Sequence, residues 1–281
     1  MESSTFESSA SCQMLVMSDG SSIRVLRNKP SYQNKRVRSM MFIGGWGTVV
    51  EGWEFVTNEL RKHFDLIYVE TREKKSSILR KQTIHDLERL SSDLEEIISL
   101  LLVDQRTLVI FGSSFGGLIV AHGLSTRKYS CYLAVLSAPI AHLRPFRYAQ
   151  YVVPLISSTL FYIIKPVVRQ WLVRARAASQ EQANVYTRIL DAAEPEKWKA
   201  IGQHIISENY WDLYSNINDN VLLISVSSGD KFHPSADASR IASVMCNCTH
   251  VCVRTPDEID SIALVDIILD HLNCPAGRNL L

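Results

Sequence analysis

From residue 40 onward the chain alternates short apolar runs with longer segments that have a helical period. The runs lie at residues 40–43, 66–69, 107–111, 133–136, 221–226 and 250–253. Strands that are apolar on both faces belong to parallel sheets whose two faces are covered by helices. The alternation therefore predicts an α/β protein with a mostly parallel sheet and helices on both faces.

Composition and charge exclude several classes of protein. Of the 281 residues, 46% are hydrophobic and 21% charged, which suits a packed core and excludes a disordered, collagen-like or coiled-coil chain. With 30 Lys and Arg against 29 Asp and Glu, the net charge is +1, and no nucleic-acid partner is expected. Six cysteines are too few for a disulfide scaffold at this length, and the first residues lack the basic and apolar regions of a secretory signal. We therefore expect a cytoplasmic protein with free thiols.

Three kinds of segment are expected along the chain. Residues 1–12 are Ser-rich and are predicted to form a flexible N-terminal tail. Residues 13–139 and 220–281 contain the predicted strands and form the core, which starts with a hairpin whose tight turn is Asp19-Gly20. About 80 residues separate the fourth apolar run from the fifth, far more than a single crossover needs. Because this interval is rich in helix-forming residues, residues 140–219 are predicted to be an inserted helical cap.

One motif carries a specific chemical expectation. Gly112-Ser-Ser114-Phe-Gly116 matches G-x-S-x-G and stands between a buried-type strand and an apolar helix. A sharp strand-to-helix turn accepts only small flanking residues and lifts the central hydroxyl to the N-terminus of the helix, where negative charge is favoured. This context indicates a nucleophile elbow with Ser114 as the nucleophile. An ordinary Gly/Ser junction between a strand and a helix is the alternative.

With this elbow, residues 14–272 resemble the α/β-hydrolase superfamily. Residues 44–47 (Gly-Gly-Trp-Gly) stand where that superfamily carries its oxyanion loop, after the third strand. The resemblance implies an α/β-hydrolase fold with an inserted cap. It also implies an oxyanion hole formed by the backbone amides of Phe115 and of Gly45 or Trp46. A plain turn is the alternative interpretation of the glycine-rich run.

A second segment supports the resemblance in part. Residues 70–77 follow the fourth strand, where many members of the superfamily have D-x-R-G-x-G-x-S. Arg72 and Ser77 match that pattern, whereas Glu73 and Lys75 replace its glycines.

The resemblance also assigns an acid. Residues 229–234 (Gly-Asp-Lys-Phe-His-Pro) follow the run at 221–226 and are similar to the G-x-D-x-x-x-P variants of the superfamily. Asp230 would then orient a histidine and stabilise its imidazolium form. A solvated loop aspartate is the alternative.

The general base is missing from its usual place. The superfamily places this histidine just past the last strand, but residues 253–261 contain none. His233, in the loop of Asp230, is one candidate, and His142 and His204 in the predicted cap are others. A chain with no base at all is a further alternative, and it would leave the Ser114 hydroxyl a poor nucleophile at neutral pH.

A cysteine-rich segment suggests a metal site but does not suit one. Cys246, Cys248, His250 and Cys252 alternate along one predicted strand, where successive side chains on one face are about 6.6 Å apart. Zinc needs four ligands at about 2.0–2.3 Å in a tetrahedron, which a straight strand does not provide. We therefore expect no metal and interpret the cysteines as buried thiols.

The predicted cap contains an apolar segment with basic neighbours. Residues 151–168 have about the length of a membrane span, but Pro154, Lys165 and Pro166 interrupt them. Three interpretations stay open. The segment is a peripheral contact with anionic lipid, a lid over an acyl pocket, or part of a cap that packs on its own domain and leaves its arginines solvated. The arginines near this segment are Arg144, Arg147, Arg169, Arg174 and Arg176.

Two functions from different classes follow. The first is a serine hydrolase that acts on a small-molecule acyl or lipid ester and needs no cofactor or metal. The second is a non-catalytic homologue that binds a lipid or a protein partner, which the missing histidine favours. The sequence determines neither the substrate's acyl and alcohol parts nor the oligomeric state.

Overall fold

The computed structural model describes residues 5–30, 37–142, 149–152, 155–177, 179–206, 208–228, 230, 232–259 and 261–273. Within these residues one sheet is formed by β1 (Ser11–Val16), β2 (Ser22–Asn28), β3 (Ser39–Ile43), β4 (Asp65–Val69), β5 (Val109–Ser113), β6 (Leu133–Ser137), β7 (Val221–Val226) and β8 (Cys248–Val253). The strand order is β1-β2-β4-β3-β5-β6-β7-β8. β2 pairs antiparallel with β1 and β4, and all pairs from β4 to β8 are parallel.

Helices cover both faces of this sheet. One face packs against α3 (Leu87–Leu100), α4 (Phe115–Ser125) and α10 (Ser235–Val244), and the other against α1 (Thr5–Ser9), α2 (Glu54–Leu60) and α11 (Ile262–Asn273). In β3, Met41 and Ile43 enter the first core, whereas Met40 and Phe42 enter the second. Because successive side chains point to opposite faces, such a strand is apolar on both of its faces. The predicted fold class is confirmed.

The N-terminal segment differs from the predicted flexible tail. Residues 5–12 form α1 and the start of β1, and residues 1–4 lie outside the described part. Phe6 is buried in the second core, with its ring centroid 6.3 Å from that of Tyr68. Glu7 forms an ion pair with Arg24 on β2 at 2.5 Å. The helix is ordered because one aromatic side chain in this Ser-rich stretch is buried against the sheet.

The hairpin turn is longer than predicted. The loop between β1 and β2 spans residues 17–21, and Gly20 has a positive φ of 79°. The carboxylate of Asp19 accepts hydrogen bonds from the Ser21 amide at 2.9 Å and from Arg72 at 2.6 Å. The Asp19 carboxylate is thus directed at a buried cation.

The loop after β4 is held by that cation. Arg72 is fully buried and makes a bidentate contact with Asp93 of α3, at 2.6 and 2.7 Å. His85 Nδ1 lies 3.0 Å from the Arg72 guanidinium group, which also contacts the carboxylate of Asp19. Ser77 donates to the Arg72 carbonyl oxygen at 2.5 Å and closes the loop. The two residues that match the superfamily pattern thus organise this loop.

Helices fill the interval between β6 and β7, where the cap was predicted. They are α5 (Ala149–Val152), α6 (Ser158–Trp171), which continues into a π-helical turn at Leu172–Arg176, α7 (Gln180–Ala192), α8 (Pro195–Ile205) and α9 (Trp211–Tyr214). Among the described residues no helix combines the length and apolar character needed to cross a membrane. Arg144 and Arg147 lie outside the described residues.

Candidate active site

Ser114 stands at a strained turn between β5 and α4. Its φ of 50° and ψ of −114° are unfavourable for a residue with a side chain. The turn is crowded, since a Cβ atom on Gly116 would lie 2.4 Å from the carbonyl oxygen of Ile43. A Cβ atom on Gly112 would lie 2.6 Å from the Cα atom of Gly117. Backbone packing therefore requires the glycines of the motif, which is the geometry of a nucleophile elbow.

A chain of hydrogen bonds connects Ser114 to an acid through a histidine. The Ser114 Oγ atom lies 2.8 Å from Nε2 of His233, and His233 Nδ1 lies 2.8 Å from Oδ2 of Asp230. With the proton on Nδ1, His233 donates to Asp230 and accepts from the Ser114 hydroxyl. The side chain of Asp230 is buried and that of His233 is largely so. These are the contacts that a serine nucleophile, its base and the orienting acid require.

The loop after β7 that carries Asp230, called the acid loop here, folds back on itself. This lets the side chains of Asp230 and His233, only three positions apart, face one another. The Asp230 Oδ1 atom accepts the backbone amides of Phe232 at 2.9 Å and of His233 at 3.0 Å. This Asx-type turn leaves Oδ2 available to the His233 ring. Burial alone would raise the pKa of Asp230, but hydrogen bonds from the His233 ring and from the two amides hold it below its ordinary value. The carboxyl group is therefore ionised at neutral pH.

The other two candidate bases lie elsewhere. His142 lines the same cavity but packs near Trp211, with ring centroids 6.3 Å apart. His204 lies on α8 beside Gln203. Among the described residues, neither makes a hydrogen bond to Ser114, so His233 is the histidine that the fold brings to the elbow.

The oxyanion-loop residues predicted from the resemblance border the elbow. A Cβ atom on Gly45 would lie 3.6 Å from the Ser114 Cβ atom. The Trp46 ring meets that of Phe115 edge-on at 4.9 Å. Phe115 is the first residue of α4, where helix amides lack intrahelical acceptors. Within the described part of the chain, the backbone amides of Trp46 and Phe115 donate to no protein acceptor.

A cavity of about 750 Å³ opens above Ser114. Its floor includes Ser114, Trp46 and His233, and its roof comes from the apolar side of the cap. Most of the side chains that line the roof are apolar, among them Phe161, Ile164, Val168, Trp171, Ile189 and Trp198. A site of this kind accommodates an apolar group and directs its polar end to the floor.

Neither a family model nor a curated protein sequence matches this chain. Solved structures do. A hydrolase from Pseudomonas aeruginosa superposes with a TM-score of 0.75 at 17% identity, over 94% of this chain and 98% of that one. An esterase from Exiguobacterium antarcticum gives 0.74 at 16% identity, over 93% and 99%. A bacterial membrane phospholipase A gives 0.70 at 14% identity, over 95% and 88%.

This chain has the α/β-hydrolase fold. In that fold the segment after the last strand usually supplies the base, and here it has another role. Residues Pro256–Glu258 form a 3₁₀ turn after β8, and Asp257 accepts a hydrogen bond from the Ser179 hydroxyl at the start of α7 at 2.9 Å. The usual histidine position thus contacts the cap, and the histidine beside Ser114 comes from the loop after β7.

One residue at the site escaped the sequence analysis. Phe232, between the acid and the histidine, packs edge-on against Tyr186 of α7 at 5.9 Å. The Arg176 guanidinium group lies over the Phe232 ring, 4.8 Å from the ring centroid. Cap side chains therefore support the acid loop of the α/β-hydrolase core. An aromatic residue between two polar ones was the only signal in the sequence.

The cysteine-rich segment forms no metal site in the described residues. Cys246 and Cys252 are exposed, so the interpretation of this segment as buried thiols was wrong for these two. β8 is the last strand of the sheet, and the outward side of an edge strand is not fully covered. His250 instead lies 2.8 Å from the hydroxyl of Ser225 on β7.

Proposed function

We propose that this protein is a serine hydrolase that cleaves carboxylic esters, with Ser114 as nucleophile, His233 as general base and Asp230 as the orienting acid. The observation that carries the proposal is the continuous hydrogen-bond chain from the Ser114 hydroxyl through His233 to Asp230. Neutral serine hydroxyls are weak nucleophiles, and a positioned base removes that barrier. The esterase among the similar structures is consistent with this chemistry.

The proposed reaction has two stages. In acylation, Ser114 Oγ attacks the ester carbonyl while its proton moves to Nε2 of His233, and the carbonyl oxygen becomes an oxyanion held by the Phe115 amide and that of Gly45 or Trp46. The intermediate then collapses: the bond to the alkoxy oxygen breaks, and the imidazolium returns the proton to the departing alcohol. In the second stage, His233 takes a proton from water, whose oxygen attacks the acyl carbon. The bond between that carbon and Ser114 Oγ then breaks, the imidazolium returns the proton to Oγ, and the acid leaves.

The apolar roof supports a substrate with a medium or long acyl chain. Phe161, Ile164 and Val168 line the cavity from one side of α6, and Ser114 and His233 line its floor. Each buried methylene group contributes about 0.8 kcal/mol to binding. A fatty-acyl ester would bury its chain under the cap and place its carbonyl over Ser114. The phospholipase A among the similar structures acts on lipid, as its name states, and agrees with this class.

The proposed function predicts covalent labelling at one serine. A fluorophosphonate probe, which reacts with activated serine hydrolases, should label the wild-type protein at Ser114 and should not label Ser114→Ala. Ser113→Ala provides the matched control, because it removes the neighbouring hydroxyl and leaves Ser114 in place. The wild-type protein should also hydrolyse p-nitrophenyl esters of increasing chain length, and Ser114→Ala should lose this activity. Folded wild-type protein that neither labels nor hydrolyses any of these esters would instead support the non-catalytic binding function.

We further propose that the outer side of α6 contacts an anionic lipid surface. Ile163 and Val167, on the side away from the cavity, are 68% and 69% exposed. On the adjacent side of α6, Lys165 and Arg169 both contact the single carboxylate of Asp191, which leaves a net positive charge there. An exposed apolar stripe with basic neighbours is typical of helices that lie in a membrane interface.

The membrane contact predicts binding that depends on lipid charge. The protein should sediment with phosphatidylserine vesicles at low salt and be released as salt screens the charges, with little binding to phosphatidylcholine. Ile163→Asp/Val167→Asp should remove the binding. Phe55→Asp is the matched control, because Phe55 is a helix residue exposed to a similar extent, 74%, outside this surface. Equal recovery in the supernatant with both lipids would exclude the contact.

A further inference from the structure

A buried ammonium group lies behind the oxyanion loop. Lys74 is only 6% exposed, and its Nζ atom donates to the carbonyl oxygen of Gly45 at 2.6 Å. The same atom lies 2.9 Å from Oε1 of Glu73, which is also buried. Lysines are rarely buried unless they are paired, because desolvation of the charge is costly. A buried lysine directed at one backbone carbonyl therefore indicates a role for that contact.

The carbonyl in question belongs to the peptide that joins Gly45 to Trp46. It also accepts the Thr48 hydroxyl at 2.9 Å and the Thr48 amide at 3.2 Å, so three donors hold it. A trans peptide is planar, and its C=O and N–H bonds point in opposite directions. By fixing the carbonyl, Lys74 and Thr48 also fix the direction of the Trp46 N–H. That amide has no acceptor within the described residues and belongs to the loop that borders Ser114.

We infer that Lys74 is a positioning residue that prepares the Trp46 amide to donate to the oxyanion, an inference that rests on the proposed hydrolase function. A cation at the carbonyl end of a peptide draws electron density from its nitrogen and makes the N–H a stronger donor. Hydrogen bonds in series strengthen one another, and the effect is larger in a buried environment than in water. The inference also selects Trp46 over Gly45 as the loop donor.

The position of Lys74 is held from both sides. The Thr71 hydroxyl donates to Oε1 of Glu73 at 2.8 Å, which orients the carboxylate beside the ammonium group. From α8 of the cap, Lys197 Nζ donates to the carbonyl oxygens of Lys74, Lys75 and Ser77 at 2.9, 2.8 and 2.8 Å. The loop that carries Lys74 thus connects the cap to the peptide that would hold the oxyanion.

The test replaces Lys74 with Met, which keeps most of the side-chain length and removes the ammonium group. Loss of a whole oxyanion donor lowers kcat by about 10²- to 10³-fold. Because Lys74→Met weakens a donor without removing it, we expect kcat for a p-nitrophenyl ester to fall by about 10- to 100-fold, with KM nearly unchanged. The inhibition constant of a trifluoromethyl ketone, whose adduct with Ser114 carries an oxyanion, should rise by the same factor. Lys75→Met, at the exposed neighbouring position, should change neither quantity.

A second variant separates this role from a structural one. Lys74→Met leaves the carboxylate of Glu73 buried without its cation, so the double variant Glu73→Gln/Lys74→Met removes both charges. The double variant should show the same loss of kcat and of ketone affinity. Recovery of wild-type kinetics in it, or an unchanged kcat in both variants, would overturn the inference. Ser114-dependent labelling of the wild type distinguishes that result from failure of the proposed function, in which the wild type itself would be unlabelled.

Discussion

Replacing His233 with Ala is expected to lower kcat for ester hydrolysis by about 10⁴- to 10⁶-fold, because the members of a serine triad act as a unit. Without the imidazole, nothing within the described residues accepts the Ser114 proton, since His233 Nε2 is its contact at 2.8 Å. Steady-state kinetics with a p-nitrophenyl ester measure this effect.

Two variants make this result specific. Ser114→Ala/His233→Ala should be hardly slower than His233→Ala alone, since either change disables the whole unit. His142→Ala provides a control histidine that lines the same cavity without contacting Ser114. A His233→Ala protein that folds and retains wild-type turnover would reject His233 as the base. A large loss in His142→Ala instead would assign the role to the cap.

Replacing Arg72 with Met is expected to lower the free energy of unfolding by about 3–5 kcal/mol, the usual result of removing one partner from a buried ion pair. The change leaves the carboxylate of Asp93 buried without its bidentate partner. It also frees the hairpin loop, because Asp19 loses its contact at 2.6 Å. Burial already raises the pKa of Asp93 above its ordinary value, so this carboxylate depends on nearby cations to stay ionised. Urea unfolding followed by circular dichroism gives the free energy directly.

The matched control for Arg72 is Arg106→Met. Arg106 forms an ion pair with Asp104 at 3.1 Å on the surface, where such pairs contribute little. Its replacement should leave the urea midpoint nearly unchanged. An equal, small effect of both variants would show that the Arg72 cluster does not stabilise the fold. If Arg72→Met fails to fold, Arg72→Lys should fold with reduced stability, because it keeps the charge but loses the bidentate geometry.

Much of the fold was predictable because its signals are local. Burial on both faces makes most positions of β3, β5 and β7 apolar, and this pattern is visible along the sequence. The crowded backbone at Gly112 and Gly116 requires small residues, so the elbow also left a local signal. The fold class followed from these patterns. Two expectations differ from the structure: buried Phe6 anchors the Ser-rich start, and the hairpin loop spans residues 17–21 with Gly20 at positive φ.

The sequence by itself determined the succession of strands and helices along the chain, the elbow at Ser114 and the place of the acid loop, because each depends on residues close together in the chain. Only the tertiary structure decided which histidine faces Ser114. His233 and Ser114 are 119 positions apart, and they meet because β5 and β7 are parallel strands whose carboxyl ends open on the same edge of the sheet. The backfolded turn at Asp230 then directs the imidazole inward. The contact of Lys74 with Gly45 arises likewise from two loops at that edge, and no pattern along the chain reports it.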